Sequence, residues 1–272
     1  MNFETYRLKL ISNNSLYERD RSDVLLAALN ELIIRPITSK NTWCFANLSS
    51  IDNETFHFCI CRYSSILRHA IVNGVIAAEE LDDVQYVDAI LNIKTQVLLV
   101  SSSNSRNFAT TWMPAFAFSK TAQKTEANRE SNYEFSIVRI THDQNFRHDL
   151  EQATVISSFT FIAERSNPHP MKNLAGTASE MVQESGATKA TVTITGKSLD
   201  KAEVLEAVTE CEKNGNASLA WIRPQGSKRS KKIQSSKSIM KISAGDISKK
   251  NLVRLAGEIR KLLANATTES KK

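Results

Sequence analysis

Glycine and proline are scarce in this chain, with 8 Gly and 5 Pro among 272 residues. No segment has the spacing of the phosphate-binding loops GxGxxG and GxxxxGKS/T, and no GxSxG nucleophile elbow occurs. The sequence therefore does not support a Rossmann enzyme, a P-loop enzyme or a serine hydrolase. The lack of a decisive catalytic motif favours a protein that is not an enzyme.

Long apolar runs and paired cysteines are also lacking. No run approaches the roughly 18 apolar residues that span a bilayer, and the N-terminus does not resemble a secretory signal. The four cysteines, at positions 44, 59, 61 and 211, form no CxxC pair. We therefore expect a cytoplasmic protein in a reducing compartment, with no membrane, structural disulfide, metal or cofactor. In an extended strand the side chains of His57, Cys59 and Cys61 would lie on the same face, and a metal site made of these three residues is therefore the one alternative left open.

Positive charge is concentrated at one end of the chain. The net charge is +6, from 35 Lys/Arg and 29 Asp/Glu. Residues 221–272 hold 14 Lys/Arg and 3 Asp/Glu, a local charge of +11, whereas residues 1–220 hold 21 and 26, a charge of −5. A segregated basic block is typical of a protein with a polyanionic partner, because solubility alone requires no segregation.

The densest basic stretch predicts a nucleic-acid-binding loop over residues 223–241. Its seven basic side chains, with no acidic one among them, are Arg223, Lys228, Arg229, Lys231, Lys232, Lys237 and Lys241. Lys and Arg neutralise phosphates, and the interleaved serine hydroxyls can donate to phosphate oxygens. Residues 224–250 contain no Trp or Phe for stacking on unpaired bases, which favours duplex DNA. A solvated loop, an anionic membrane surface or an acidic protein partner are the alternatives.

Hydrophobic periodicity predicts a mixture of strands and helices. In the first half we expect strands at 5–11, 43–50, 55–63 and 96–103, with helices at 22–34 and 64–78. In the second half we expect strands at 133–140, 154–165, 190–196, 217–224 and 238–243, with helices at 143–153, 171–186, 199–215 and 248–266. Strand 154–165 is expected to place Ser157, Phe159, Phe161 and Ala163 on one face. Helix 199–215 is expected to turn Glu203, Glu206, Glu210 and Glu212 toward water.

These elements predict an α+β fold of mixed sheets with flanking helices, in two lobes. The polar segment 119–132 marks the boundary between an N-terminal domain, 1–120, and a C-terminal domain, 133–266, which carries the basic loop. Residues 267–272 are expected to form a frayed tail.

Two further groups of residues are weaker candidates for a functional site. Asp83 and Asp88 precede strand 96–103, where a metal nuclease places carboxylates, but Asn92 takes a ligand position and an amide is a poorer ligand. Exposed acids around a loop are the simpler interpretation. The segment 165–170, RSNPHP, predicts an extended connection between a strand and a helix, with an anion grip as the alternative.

The N-terminal order of elements resembles the RexA-type superinfection-exclusion proteins of temperate phages and related defence-associated proteins. The similarity spans residues 5–118: an aromatic strand, a turn leading into Thr-Phe, and a Phe-Ala-Thr segment follow one another. The matching positions are Asp52, Thr55, Phe56, Phe58, Phe108, Ala109 and Thr110. The resemblance implies a dimeric, sequence-tolerant DNA-binding protein that acts in phage exclusion.

The sequence thus predicts a sequence-tolerant nucleic-acid-binding protein, with duplex DNA as the favoured ligand and a setting in antiviral defence. A homodimer is expected. One alternative is a metal-dependent nuclease that uses Asp83 or Asp88. The other is an interaction factor whose basic loop meets an acidic partner or a phage protein.

Overall fold

A computed structural model describes residues 1–12, 19–34, 43–72, 75–102, 108–164, 174–187, 189–235 and 239–264. The chain forms two compact units. Unit 1 comprises Met1–Ile137 and Lys241–Lys272, and unit 2 comprises Val138–Met240. Strands and helices are both abundant, and the α+β class expected from the sequence is confirmed.

The strands, in chain order, are β1 (Asn2–Ser12), β2 (Trp43–Ser50), β3 (Thr55–Val72), β4 (Val75–Asn92), β5 (Val97–Ser101), β6 (Tyr133–Arg139), β7 (Ala153–Glu164), β8 (Lys189–Thr195), β9 (Leu219–Pro224), β10 (Lys231–Gln234) and β11 (Lys241–Ser243). The helices are α1 (Arg21–Ile34), α2 (Trp112–Ala122), α3 (Glu126–Ser131), α4 (Gln144–Glu151), α5 (Leu174–Glu184), α6 (Lys201–Lys213) and α7 (Lys249–Ala264). Among the described residues, no helix has the length and hydropathy needed to cross a membrane.

Unit 1 is built on a seven-stranded sheet in the order β11-β1-β5-β4-β3-β2, with β6 also paired to β1. The sequence predicted mixed sheets, but the two sheets are antiparallel. Tight hairpins such as β2–β3 favour this arrangement, because parallel neighbours need long crossovers. All five residues of β5 are buried, as expected for a strand covered on both faces.

The predicted helix over 64–78 is wrong. Strands β3 and β4 pair continuously from Thr55 opposite Asn92 to Val72 opposite Val75. Short apolar runs do not distinguish a helix from a strand by spacing alone. The signal that would have corrected the prediction is the dipeptide Asn73-Gly74, a strong hairpin signature in sequence.

The C-terminal elements return to unit 1 instead of ending the second unit. β11 pairs antiparallel with β1, and α7 buries Leu255, Ala256 and Ile259. The unit boundaries therefore fall at 137/138 and 240/241, and not in the segment 119–132 as the sequence prediction has it. Periodicity reports that residues 241–243 form a strand, but it carries no information about which sheet edge that strand joins.

Unit 2 is a four-stranded antiparallel sheet, in the order β10-β9-β7-β8, with helices α4, α5 and α6 on one side. The inner face of this sheet buries Phe159, Phe161, Ala220 and Ile222 in a single core with residues from all three helices. The predicted inward face of β7 is correct at Phe159, Phe161 and Ala163. It is wrong at Ser157, where a register shift between Ile156 and Ser158 turns Ile156 inward instead.

Two of the glutamates predicted to face water are buried on α6. Glu210 accepts a hydrogen bond from Lys213 at 2.8 Å, and Glu212 accepts two from Arg147 at 2.6 and 2.9 Å. Buried carboxylates are tolerated when they are paired and hydrogen-bonded. The periodicity of α6 alone could not reveal the partner of Glu212, because Arg147 lies on α4.

Candidate nucleic-acid interface

The second face of the unit 2 sheet, called the outer face below, is polar and exposed. Strand β8 alternates strictly, with Lys189, Thr191, Thr193 and Thr195 exposed. Strand β9 alternates in the same way and exposes Trp221 and Arg223. This pattern is typical of an antiparallel sheet with one face on its core and one face toward solvent.

The register of β9 and β10 brings an aromatic and a basic side chain together on the outer face. Trp221 lies directly opposite Lys232, and Arg223 lies two residues further along β9 on the same face. Directly opposite residues in an antiparallel pair have Cβ atoms about 5 Å apart. Trp221 is 44% exposed, an unusual exposure for a large indole in a strand.

Two irregularities in β7 lie beside these side chains. The register between β7 and β9 shifts between Ala153 and Val155 and again between Ile156 and Ser158. At each shift a β7 hydroxyl donates to a β9 carbonyl: Thr154 Oγ1 to Arg223 O at 2.9 Å, and Ser157 Oγ to Trp221 O at 3.3 Å. Bulges re-aim neighbouring side chains and are enriched next to functional sites. Here they hold the backbone that carries Trp221 and Arg223.

The turn between β9 and β10 displays two further cations. Gly226 has a φ of +77°, a conformation that favours glycine, and Ser227 N donates to Pro224 O at 3.1 Å. The Ser227 hydroxyl both accepts from Arg229 N and donates to Arg229 O, each at 3.1 Å. Lys228 and Arg229 are exposed at this turn. We call β9, the turn and β10 together the basic hairpin.

Lys231 lies on the opposite face from Lys232. Its partner in the register is Ile222, which belongs to the inner core, and its Nζ lies 3.1 Å from Asp149 Oδ2 on α4. The basic stretch was predicted as one loop, but residues 231–234 form a strand, and strand geometry sends successive side chains to opposite faces. The adjacent lysines of the predicted site are therefore not equivalent.

The other two predicted cations fall in other parts of the chain. Lys241 belongs to unit 1, on β11, with its Nζ 3.4 Å from Glu4 Oε1. Lys237 lies outside the described residues, as do the segment 165–170 and the tail 267–272. Four of the seven predicted residues, namely Arg223, Lys228, Arg229 and Lys232, therefore come together with Trp221 on the outer face and turn of the basic hairpin.

The hydroxyl-rich part of the outer face continues from Trp221 across β7 to β8. Ser158 pairs with both Trp221 and Thr195, which places the three on one row across the sheet. In the next row the Thr160 and Thr193 hydroxyls lie 3.0 Å apart. Lys189 is exposed at the far corner. The cations of this surface are thus grouped at β9–β10, whereas the rows between them and this corner carry mainly hydroxyl groups.

The carboxylates of the predicted nuclease alternative do not converge. Asp83 and Asp88 are five residues apart on β4, which puts them on opposite faces and about 16 Å apart along the strand. Asn92 is fully buried, where it donates to Thr55 Oγ1 at 2.9 Å and accepts from Thr95 N at 2.8 Å. Its role is to organise the β4–β5 turn. In the part of the chain that the structure describes, no three His, Cys, Asp or Glu side chains are grouped to hold a metal ion.

The histidine and thiols of the other alternative are engaged within unit 1. Asp88 Oδ1 lies 3.1 Å from His57 Nε2 and accepts from Cys59 Sγ at 3.7 Å. Burial raises the pKa of Cys59 to about 11 and that of Cys61 to about 12. Because the thiolate is the nucleophilic form, thiols that stay protonated at neutral pH are poor nucleophiles.

No protein-family model and no curated protein matches the chain. The resemblance to RexA-type proteins therefore stays a prediction from sequence.

Proposed function

We propose that unit 2 binds nucleic acid in a sequence-tolerant manner through the basic hairpin. The observation that carries the proposal is the grouping of Arg223, Lys228, Arg229 and Lys232 around the exposed indole of Trp221. Cations of this density attract phosphates of any sequence and release their counterions on binding. The proposed function is the one expected from the sequence, but the proposed site contains only these four of the seven predicted cations.

Support comes also from what faces these cations. Asp149 is engaged by Lys231 on the helix side of the sheet. On the outer face, Ser158 of β7 lies opposite Trp221, and Thr160 lies in the next row. Hydroxyls can donate to phosphate and sugar oxygens without reading a base sequence.

The setting in phage exclusion and the homodimer are further parts of the proposal. They rest on the sequence resemblance of residues 5–118 alone. An acidic protein that meets the same cations is the second candidate, since charge complementarity does not distinguish polyanions. A complex that survives nuclease treatment would favour the protein partner.

The first test removes three cations of the basic hairpin in the variant Lys228→Ala/Arg229→Ala/Lys232→Ala. Fluorescence anisotropy with labelled DNA and RNA of mixed sequence is expected to show weaker binding to every probe. With four phosphate contacts, log K should fall with log salt at a slope of about −3 to −4 in the wild type, and at about −1 in the variant.

The matched control is Lys249→Ala/Lys250→Ala/Lys261→Ala, which removes the same charge from exposed positions on α7 of unit 1. Its affinity and salt slope should stay close to those of the wild type. Equal losses of affinity in the two variants would mean that binding depends only on the net charge of the protein. This result would contradict a site on the basic hairpin.

A further inference from the structure

The outer face of the unit 2 sheet presents an aromatic platform that the cation cluster alone does not explain. Phosphate binding needs no indole, and the inner core is complete without Trp221. The other two tryptophans have ring contacts, Trp43 with Phe108 and Trp112 with Phe116, whereas no ring contact among the described residues involves Trp221. A Trp exposed to this extent, with two cations beside it on the same face, is suited to stack on a ligand that has an aromatic face.

We propose that the outer face binds single-stranded nucleic acid, with a base stacked on Trp221 and its phosphates on Lys232 and Arg223. This inference rests on the proposed function and specifies the form of its ligand. Unpaired bases stack on exposed aromatic side chains whatever their identity, because every base has a π-face. Sequence tolerance and an aromatic platform are therefore compatible.

The geometry favours a single strand over a duplex. Within a duplex, neighbouring base pairs cover the face of each base, so an indole in the middle of a sheet has no base face to contact. The absence of Trp and Phe from residues 224–250 was the reason for expecting a duplex. Trp221 lies just outside that window, and the β9–β10 register places it opposite Lys232. The reason for the duplex preference therefore no longer holds.

The distribution of charge gives the strand a defined position. Cations line the β9–β10 edge, whereas the rows toward β8 carry Ser158, Thr160, Thr193 and Thr195. One base is expected on Trp221, with its phosphates on the cations of the basic hairpin, and the neighbouring sugars and bases over β7 and β8, where hydroxyls can donate to sugar and base oxygens. Four strands about 4.8 Å apart make a platform wide enough for a short stretch of nucleotides.

The test compares oligo-dT and oligo-rU of about 20 nucleotides with a mixed-sequence duplex of the same length, using the full chain. Wild-type protein should bind the single strands more tightly than the duplex. Trp221→Thr keeps a good strand former and removes the ring, and it should lower single-strand affinity at least about 5-fold. Duplex affinity should change less than about 2-fold. Trp221→Phe should restore most of the single-strand binding.

The control is Phe116→Ala, which removes an equally exposed ring, also 44% exposed, from α2 of unit 1. It should leave every affinity unchanged. Intrinsic fluorescence provides a second readout: quenching of the wild type by oligo-dT should be lost in Trp221→Phe, although Trp43 and Trp112 remain. Comparing the affinities for the oligo-dT and oligo-rU probes shows whether the protein prefers DNA or RNA.

Failure of this inference and failure of the proposed function give different results. Unchanged single-strand affinity in folded Trp221→Thr, or tighter binding of the duplex by the wild type, overturns base stacking. Loss of binding in the three-cation variant would then still support the basic hairpin as a nucleic-acid site. Full binding of all probes by the three-cation variant overturns the proposed function itself.

Discussion

The two sheets of this protein use their polar residues in opposite ways. In unit 1, Asn92 and Thr55 are fully buried, and their hydrogen bonds are made within the fold. In unit 2, Thr193 and Thr195 lie on an exposed face. Buried polar groups must satisfy each other, whereas exposed ones remain available to a ligand. Under the proposed function, the buried polar residues of the first sheet contribute to stability, and those on the outer face of the second contribute to binding.

The largest loss of stability should follow from removing a large side chain from the core of unit 1. Phe58 is fully buried, with its ring centroid 5.3 Å from that of Phe118, so Phe58→Ala is expected to lower the free energy of unfolding by about 3–5 kcal/mol. Trp221→Thr, on the outer face, should cost less than about 1 kcal/mol. Urea unfolding followed by circular dichroism measures both. A comparable loss from the two variants would contradict the contrast between the sheets.

A smaller loss is expected on the helix side of unit 2. Glu212→Gln leaves the guanidinium of Arg147 without its carboxylate, and hydrogen bonds to charged groups contribute about 1.5–3 kcal/mol each. We expect a decrease of about 2–3 kcal/mol in the free energy of unfolding, measured in urea.

Glu206→Gln is the matched control, because Glu206 is exposed on the same helix. Its effect should stay within about 0.5 kcal/mol. If the two substitutions were equivalent, Glu212 would not join α4 to α6 in the way that the distances indicate.

The sequence was informative where local chemistry decides the structure. The helix predicted over 143–153 is present as α4. At its start the side chain of Asp143 accepts a hydrogen bond from Phe146 N at 3.0 Å, and Asp200 caps the start of α6 in the same way. Gly186, predicted to end helix 171–186, has a φ of +70° just beyond α5. Caps and turn residues act within a few positions, so a single sequence can reveal them.

The sequence was less informative where a distant partner decides the structure. Glu212 was assigned to water because its partner Arg147 lies 65 residues away. Ser157 was placed on one face with Phe159 because alternation cannot locate a bulge, which depends on pairing with β9. The same limitation kept Trp221 out of the predicted site. Trp221 and Lys232 are 11 positions apart, and only the register of β9 and β10 makes them neighbours.

The smallest and most selective effect concerns two adjacent lysines. Lys232 is on the outer face opposite Trp221, whereas Lys231 is opposite the buried Ile222 and paired with Asp149. If Lys232 contacts a phosphate, Lys232→Ala should reduce the steepness of the salt dependence by about 0.7–0.9 and weaken binding to all sequences alike. Lys231→Ala removes the same charge from the other side of the sheet, so affinity should change less than about 2-fold. The exposed pair with Asp149 contributes little, so its loss should cost under about 1 kcal/mol of stability.

Anisotropy titrations of the two variants at several salt concentrations make the comparison directly. Equal effects on the salt slope would mean that the ligand senses the charge of the hairpin as a whole, and the assignment of binding to one face would be wrong.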